Sequence, residues 1–286
     1  MLVLENPIDA QTELSQLSQS ELIVLVPTMG CLHEGHLQLV ERAKQLGSRV
    51  VVSIFVNPLQ FGPNEDFDRY PRTFHEDKTK LETAGVDFLF HPTAADLYPN
   101  GFSCSIEVGS LANRLCGHFR PGHFNGVATV CMKLFEITRA QVAVFGEKDF
   151  QQLQVIRNVV RDFNLPLAIV GHPTVRDTDG LALSSRNRFL SAQDREIAKR
   201  IPQTLFSVRK QSLENPDLTI SQLLSEARAA LAPLEIQYLE ITDGPNMKTA
   251  LPTSQVRHLE VPRIFLAVKL GNTRLIDNIA LKEEAE

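Results

Sequence analysis

Leu22-Ile23-Val24-Leu25-Val26 is an unbroken apolar run, too short for a core helix and rich in β-branched residues, and it predicts a strand buried on both faces. Such a strand needs covering layers on either side, which restricts the fold to a sheet sandwiched by other elements. The run stops at Pro27-Thr28-Met29-Gly30. An amphipathic stretch follows, with Leu32, Leu39, Val40, Ala43 and Leu46 on one face and Gly47 at its end. His33 and His36 open that helix three residues apart. A strand, a tight turn and a helix start gather backbone N–H groups, the positive end of a helix and two imidazoles around one point, where a phosphate is the natural occupant.

The same alternation recurs. Val50–Val56 predicts a second buried strand ended by Asn57-Pro58, 71–84 a helix, 86–90 a short strand, 124–138 a helix, 141–145 a strand, 149–163 a helix and 167–170 a last strand. Repeated strand–helix–strand units predict a Rossmann-like parallel sheet with helices on both faces, and ligands in such sheets bind beyond the carboxyl ends of the strands. Beyond about residue 174 the rhythm becomes α+β: helices over 191–214 and 219–232, then strands at 237–242, 264–270 and 275–276. We therefore expect a nucleotide-binding domain at 1–174 and a smaller α+β domain at 175–286. The N-terminal stretch, interrupted by Glu5, Pro7 and Asp9, carries no signal-peptide pattern.

Charge and cysteine usage exclude several classes. The formal net charge is −5 over 286 residues, so no global basic surface recruits nucleic acid or an anionic membrane, and any anion site is local. No segment reaches the ~18 apolar residues of a membrane span. Cys31, Cys104, Cys116 and Cys131 have neither C-x-x-C spacing nor a metal-site rhythm, and read as free thiols of the cytoplasm. There is no G-x-x-x-x-G-K-[ST], no pair of glycines at i and i+2, and no G-x-S-x-G, which removes P-loop, classical dinucleotide and nucleophile-elbow chemistry.

Four further clusters carry candidate chemistry. In Gly146-Glu147-Lys148-Asp149 the lysine is placed for a phosphate chain, while Asp149 caps a helix or accepts from a ribose hydroxyl. Leu183-Ser184-Ser185-Arg186-Asn187 offers two hydroxyls and a planar guanidinium, either for phosphate oxygens or as a capped turn. Asn57-Pro58-Leu59-Gln60 ends the second strand, and Gln60 can donate to or accept from a hydroxyl or carboxylate. Arg120 and His123 open another helix, as an anion contact or a structural turn. The polar segment after Phe61 reads as a lid. For His33 and His36 the alternatives are satisfied histidines or a metal site, but no third ligand is evident and H-E-x-H is not H-E-x-x-H.

Five motifs, P-T-M-G-x-L-H-x-G-H at 27–36, F-V-N-P-x-Q-F at 55–61, R-P-G-H-F-x-G-V-A-T-V at 120–130, F-G-E-K-D-x-Q-Q at 145–152 and D-G-L-A-L-S-S-R-N at 179–187, make the chain closely resemble the pantoate–β-alanine ligase family. That family belongs to the H-x-G-H nucleotidylyltransferase superfamily. The resemblance implies ATP-dependent joining of pantoate to β-alanine through pantoyl adenylate, with AMP and pyrophosphate released. It implies an ATP site formed by Met29, Gly30, Cys31, Leu32, His33, Glu34, Gly35 and His36, with no role for the Cys31 side chain, then by Gly146, Glu147, Lys148 and Asp149, and by Val175, Leu183, Ser184, Ser185 and Arg186. His36, His33, Lys148 and Arg186 would be catalytic, and Gln60, Gln152 and Asn57 would hold pantoate or β-alanine. Mg²⁺ would arrive on the ATP phosphates with no protein metal site. The second domain would close over the ATP, and the chain would form a homodimer. The competing assignment is a superfamily member that adenylylates a phosphate ester.

Overall fold

The structure, a computed structural model, describes residues 1–63 and 65–282; Asn64, within the segment read as a lid, and the last four residues lie outside the described residues. The chain divides into two compact units, one comprising Met1–Glu147 with Gln152–Pro173, the other Lys148–Gln151 with Thr174–Glu286.

The first unit is built on a six-stranded sheet of β1 (Leu2–Leu4), β2 (Ile23–Thr28), β3 (Arg49–Ile54), β4 (Phe88–Phe90), β5 (Val142–Gly146) and β6 (Ala168–His172), in the order β1-β4-β3-β2-β5-β6 with every pairing parallel. Its helices are α1 (Pro7–Leu17), α2 (Glu34–Leu46), α3 (Phe74–Thr83), the short α4 (Ala94–Leu97) and α5 (Cys116–Phe119), α6 (His123–Thr138), and α7 (Phe150–Asp162), whose first two residues pack with the second unit. Val24 and Val26 of β2 pack with Leu39, Val40 and Ala43 of α2, and strand alternation turns Ile23 and Leu25 to the opposite face. All four are fully buried, as a strand covered on both sides requires. From β2 the chain moves outward through β3 to β4, then crosses to β5 on the other side of β2. The order therefore reverses between β2 and β5, where α/β folds hold their ligands. Thr28 and Gly146 end these two strands side by side.

The second unit packs α8 (Ala192–Ala198), α9 (Arg200–Glu214) and α10 (Ile220–Ala230) with an antiparallel sheet of β7 (Glu235–Asp243), β8 (Lys248–Thr249), β9 (Arg263–Leu270) and β10 (Thr273–Ala280), in the order β10-β9-β7-β8. Leu205, Leu223, Leu239, Ile264, Leu266 and Val268 form its core.

Two expectations are corrected. The helix read over 191–214 is two helices meeting at Lys199. Pro202 has no N–H for the Ala198 carbonyl, so the ladder breaks there while the proline is accommodated in the first turn of α9. Pro7 opens α1, with the Asn6 side chain accepting from Ile8 and Asp9 N–H as its cap. The final strand spans Thr273–Ala280, not 275–276 alone. Among the described residues no helix is long and apolar enough to cross a membrane.

Candidate functional site

The loop after β2 is fixed by buried polar groups. Thr28 Oγ1 donates to the Ser53 carbonyl (2.7 Å) and accepts from Gly30 N–H (3.2 Å). Gly30 and Cys31 both have positive φ, 77° and 51°. This left-handed step costs a cysteine more than a glycine, and it turns successive N–H groups toward one acceptor. That acceptor is Asp77 of α3, whose carboxylate takes Cys31 N–H at 2.8 Å, Leu32 N–H at 2.7 Å and Thr73 Oγ1 at 3.0 Å; its residue is 0% exposed. Lys80, one turn further along α3, donates to the Leu32 carbonyl at 2.7 Å. A helix whose sequence, FHEDKTK, resembles a solvated face thus clamps the loop from both sides.

His33 is the N-cap residue of α2 and His36 lies in its first turn, with ring centroids 4.1 Å apart. His36 Nδ1 accepts from His33 N–H at 3.3 Å. A neutral imidazole with an accepting Nδ1 carries its proton on Nε2, so His36 presents an N–H from its outer edge. Both rings stand at the positive end of α2.

Beside this loop runs a relay of amide hydrogen bonds. Asn57, 1% exposed, accepts through Oδ1 from Leu59 N–H (3.2 Å) and from the Tyr98 hydroxyl (2.8 Å). Its Nδ2 donates to the Gly126 carbonyl (3.1 Å) and to Gln60 Oε1 (3.0 Å). The backbone partners Leu59 and Gly126 leave only one orientation for the Asn57 amide. That in turn occupies Gln60 Oε1 and turns Gln60 Nε2 toward Met29 Sδ at 3.1 Å. Gln60 therefore acts as a donor, suited to a ligand oxygen. Burial raises the Tyr98 hydroxyl pKa well above its ordinary value, with Cys131 adding to the effect, so Tyr98 remains a donor. Gly126 permits the close approach of α6: a Cβ there would stand 2.2 Å from the Leu59 carbonyl oxygen.

Arg120 and His123 both hold the Gln60 carbonyl. The guanidinium pairs with Glu65 at 2.7 and 2.5 Å and donates to the Gln60 carbonyl at 3.2 Å. An arginine only donates, so at its 3.1 Å contact with Arg120 the His123 Nε2 accepts, and Nδ1–H donates to the Gln60 carbonyl at 2.8 Å. Burial works against ionising Glu65, but the hydrogen bonds and charge of Arg120 outweigh it and hold the carboxyl below its ordinary pKa. The segment after Phe61 is more anchored than its polar composition indicates, because Phe61 packs against Phe67 (5.3 Å) and Tyr70 (5.9 Å).

In the second unit, Lys148 and Asp149 close a 3-10 turn ahead of α7, with Nζ 3.5 Å from the Asp149 carboxylate. Leu183 N–H bonds the Val175 carbonyl at 3.0 Å, which joins the two apolar members of the expected nucleotide set. Ser184 caps the turn Ser185–Phe189 by accepting from Arg186 N–H, so its capped-turn reading holds as a description of the local backbone. Gln152 lies in the first turn of α7 within the first unit. Among the described residues no three His, Cys, Asp or Glu side chains gather as a metal-binding group. The sequence reading assigned no part to Asp77, Lys80 or Tyr98. For Asp77 a signal existed, since it shares the inward face of α3 with Leu81.

The chain is similar to known proteins over nearly its whole length. The family described as pantoate-beta-alanine ligase matches residues 3–280. A pantothenate synthetase of Sulfurihydrogenibium sp. is 48% identical over 98% of this chain and 99% of its own length, and one from Mycolicibacterium smegmatis is 50% identical over 91% of this chain and 80% of its own. The crystal structure of the pantothenate synthetase from Thermus thermophilus superposes with a TM-score of 0.91 at 42% identity, covering 98% of this chain and 99% of that one. The pantoate-beta-alanine ligase from Francisella tularensis, solved with beta-gamma ATP and beta-alanine, gives 0.79 at 37% identity over 98% of both chains. With the match running nearly end to end, the chain belongs to the pantoate–β-alanine ligase family and is an ATP-dependent, AMP-forming ligase.

Proposed function

We propose that this chain carries out its ligation with His33 and His36 on the ATP phosphates and pantoate on Gln60 and Gln152, in two steps. A pantoate carboxylate oxygen attacks the α-phosphorus, and the bond to pyrophosphate breaks. The β-alanine amine then attacks the acyl carbon, forms the amide, loses a proton and expels AMP. No enzyme nucleophile is required. The chain's contribution is alignment and donors placed where charge grows in the transition state.

The observation that carries this assignment is the Gln60–Met29 contact, which sets a fixed amide donor directly against the loop that leads into His33 and His36. An acid held there has its carboxylate beside the phosphate-binding helix start. Lys148, Ser184, Ser185 and Arg186 add cationic and hydroxyl donors for the phosphates, Asp149 accepts from the ribose, and Val175 and Leu183 take the apolar side of the nucleotide. Asn57 supports pantoate by holding Gln60. Mg²⁺ enters with the triphosphate as MgATP, because a cation that keeps several waters and binds phosphate oxygens needs few protein ligands. We further propose a cytoplasmic homodimer, on the strength of the family resemblance and the reduced-thiol character of the cysteines.

Pantoate-dependent exchange of labelled pyrophosphate into ATP, with β-alanine omitted, tests the assignment. Exchange that requires pantoate is the expected result. ATP binding with no pantoate-dependent exchange would overturn it.

A further inference from the structure

Lys148 to Gln151 interrupt the first unit in sequence, yet they pack with the second. Their attachment comes from the strands of that unit. Asn278 on β10, 3% exposed, donates through Nδ2 to the Lys148 carbonyl at 2.9 Å. Its Oδ1 accepts from Arg263 NH1 at 2.6 Å. Arg263, at the start of β9 and 6% exposed, lays its guanidinium carbon 3.9 Å from the centroid of the Phe150 ring. Phe150 also meets Phe265, the residue paired with Asn278 in the β9–β10 register. The same strand is stiffened by Asp277, 2% exposed, which binds Arg176 at 2.7 and 2.9 Å. Two buried polar side chains 15 residues apart therefore grip the carbonyl before Asp149 and the ring after it.

A planar peptide cannot have its carbonyl fixed without fixing the N–H on its other side and the direction in which the chain leaves Cα. Holding the Lys148 carbonyl sets the base from which the Lys148 side chain extends and the orientation of the Asp149 N–H. A long flexible side chain on a loosely held turn would deliver its charge to many positions, whereas on a clamped turn it delivers it to few. We propose that Asn278 and Arg263 are positioning residues for the ligase reaction, clamping the Lys148–Phe150 turn from the C-terminal sheet so that Lys148 meets the ATP phosphates. This rests on the phosphate role proposed above for Lys148.

The test is a double-mutant cycle in the full-length enzyme, read by pantoate-dependent ATP–pyrophosphate exchange. Asn278→Asp keeps the shape and the acceptor for Arg263 but removes the donor to the Lys148 carbonyl. We expect kcat/KM for ATP to fall about 10–100-fold, the range for supporting residues around a reactive group, with KM for pantoate unchanged within about twofold. In a Lys148→Ala background the same substitution should add less than about twofold, because it acts through Lys148. Losses that multiply, or an Asn278→Asp enzyme with wild-type ATP parameters, overturn the proposal. A Lys148→Ala enzyme with full exchange overturns both this proposal and the role of Lys148. A wild-type enzyme without pantoate-dependent exchange overturns the functional reading itself. Should thermal melting show that Asn278→Asp does not fold, Arg263→Lys, which retains charge but not the planar stack on Phe150, enters the same cycle with the same criteria.

Discussion

Asp77→Asn isolates the buried clamp on the loop that follows β2. The carboxylate accepts from two consecutive backbone N–H groups and one hydroxyl, with no exposure to solvent. An asparagine of the same shape has one accepting oxygen, so either Cys31 N–H or Leu32 N–H then faces an NH₂ group. A hydrogen bond to a charged acceptor is worth about 1.5–3 kcal/mol, and a buried donor left facing another donor adds its own desolvation cost. We take ~3 kcal/mol as the central expectation. For a unit of this size each kcal/mol moves the melting temperature by about 2–4 °C, so the variant should melt roughly 6–12 °C lower. Catalysis should suffer as well, because His33 follows Leu32 directly and a shift of about 1 Å in a positioned group costs on the order of 10²-fold. Differential scanning calorimetry and pantoate-dependent ATP–pyrophosphate exchange measure the two effects on one preparation. A variant melting within about 2 °C of wild type with exchange within about threefold would refute the reasoning, since the loop would then hold its shape without the carboxylate.

Removing the His36 donor by His36→Ala should lower exchange by about 10²–10³-fold, or ~3 kcal/mol, with little change in melting; full activity in a folded variant would count against its phosphate role. Gly126→Ala puts a methyl 2.2 Å from the Leu59 carbonyl oxygen and must push α6 off the turn that carries Gln60. Its denaturant midpoint should correspond to a loss of at least about 1–3 kcal/mol, and an unchanged midpoint would show that the approach is not tight. Glu65→Gln should destabilise the protein near neutral pH. Because the folded carboxyl titrates below its ordinary 4.5, the Glu65–Arg120 contribution is fully present above that value and lost only as pH falls through the lowered one. The melting difference between variant and wild type should therefore hold steady across neutral pH and shrink in acid; a difference that grows on acidification would contradict the pairing.

The parallel sheet was legible because β2 and β3 are apolar without interruption and each is followed by punctuation that ends a strand, Pro27-Thr28 and Asn57-Pro58. The helix after β2 was legible because its apolar positions recur on one face. What escaped depends on partners far along the chain. The strand β1 is three residues long and exists through its parallel pairing with β4, and β8 is two residues paired with β7. The last strand was read as two residues because Asp277 and Asn278 interrupt its apolar pattern. Those residues are buried and bonded to Arg176 and to the Lys148 carbonyl. A break in local pattern at a buried strand position thus marked a polar network rather than the end of a strand. The motif residues themselves were visible, while the groups that orient them were not, since nothing local in FHEDKTK says that Asp77 faces inward toward a loop 46 residues upstream.

The loops that follow β2, β3 and β5 share one construction. Each leaves a strand end with backbone groups that helix and sheet ladders do not satisfy, and in each a buried polar side chain binds across the loop: Asp77 for Cys31 and Leu32, Asn57 for the turn through Gln60 and for Gly126, and Asn278 for Lys148. Apolar packing alone would leave such loops free to slide, because dispersion contacts are weakly directional, whereas a buried donor or acceptor has few places to find its partner. A ligase that must align a carboxylate with a phosphorus needs that directional hold more than it needs further burial. Asp77, Asn57 and Asn278 supply that hold for the loops that carry the H-x-G-H, N-P-x-Q and G-E-K-D motifs.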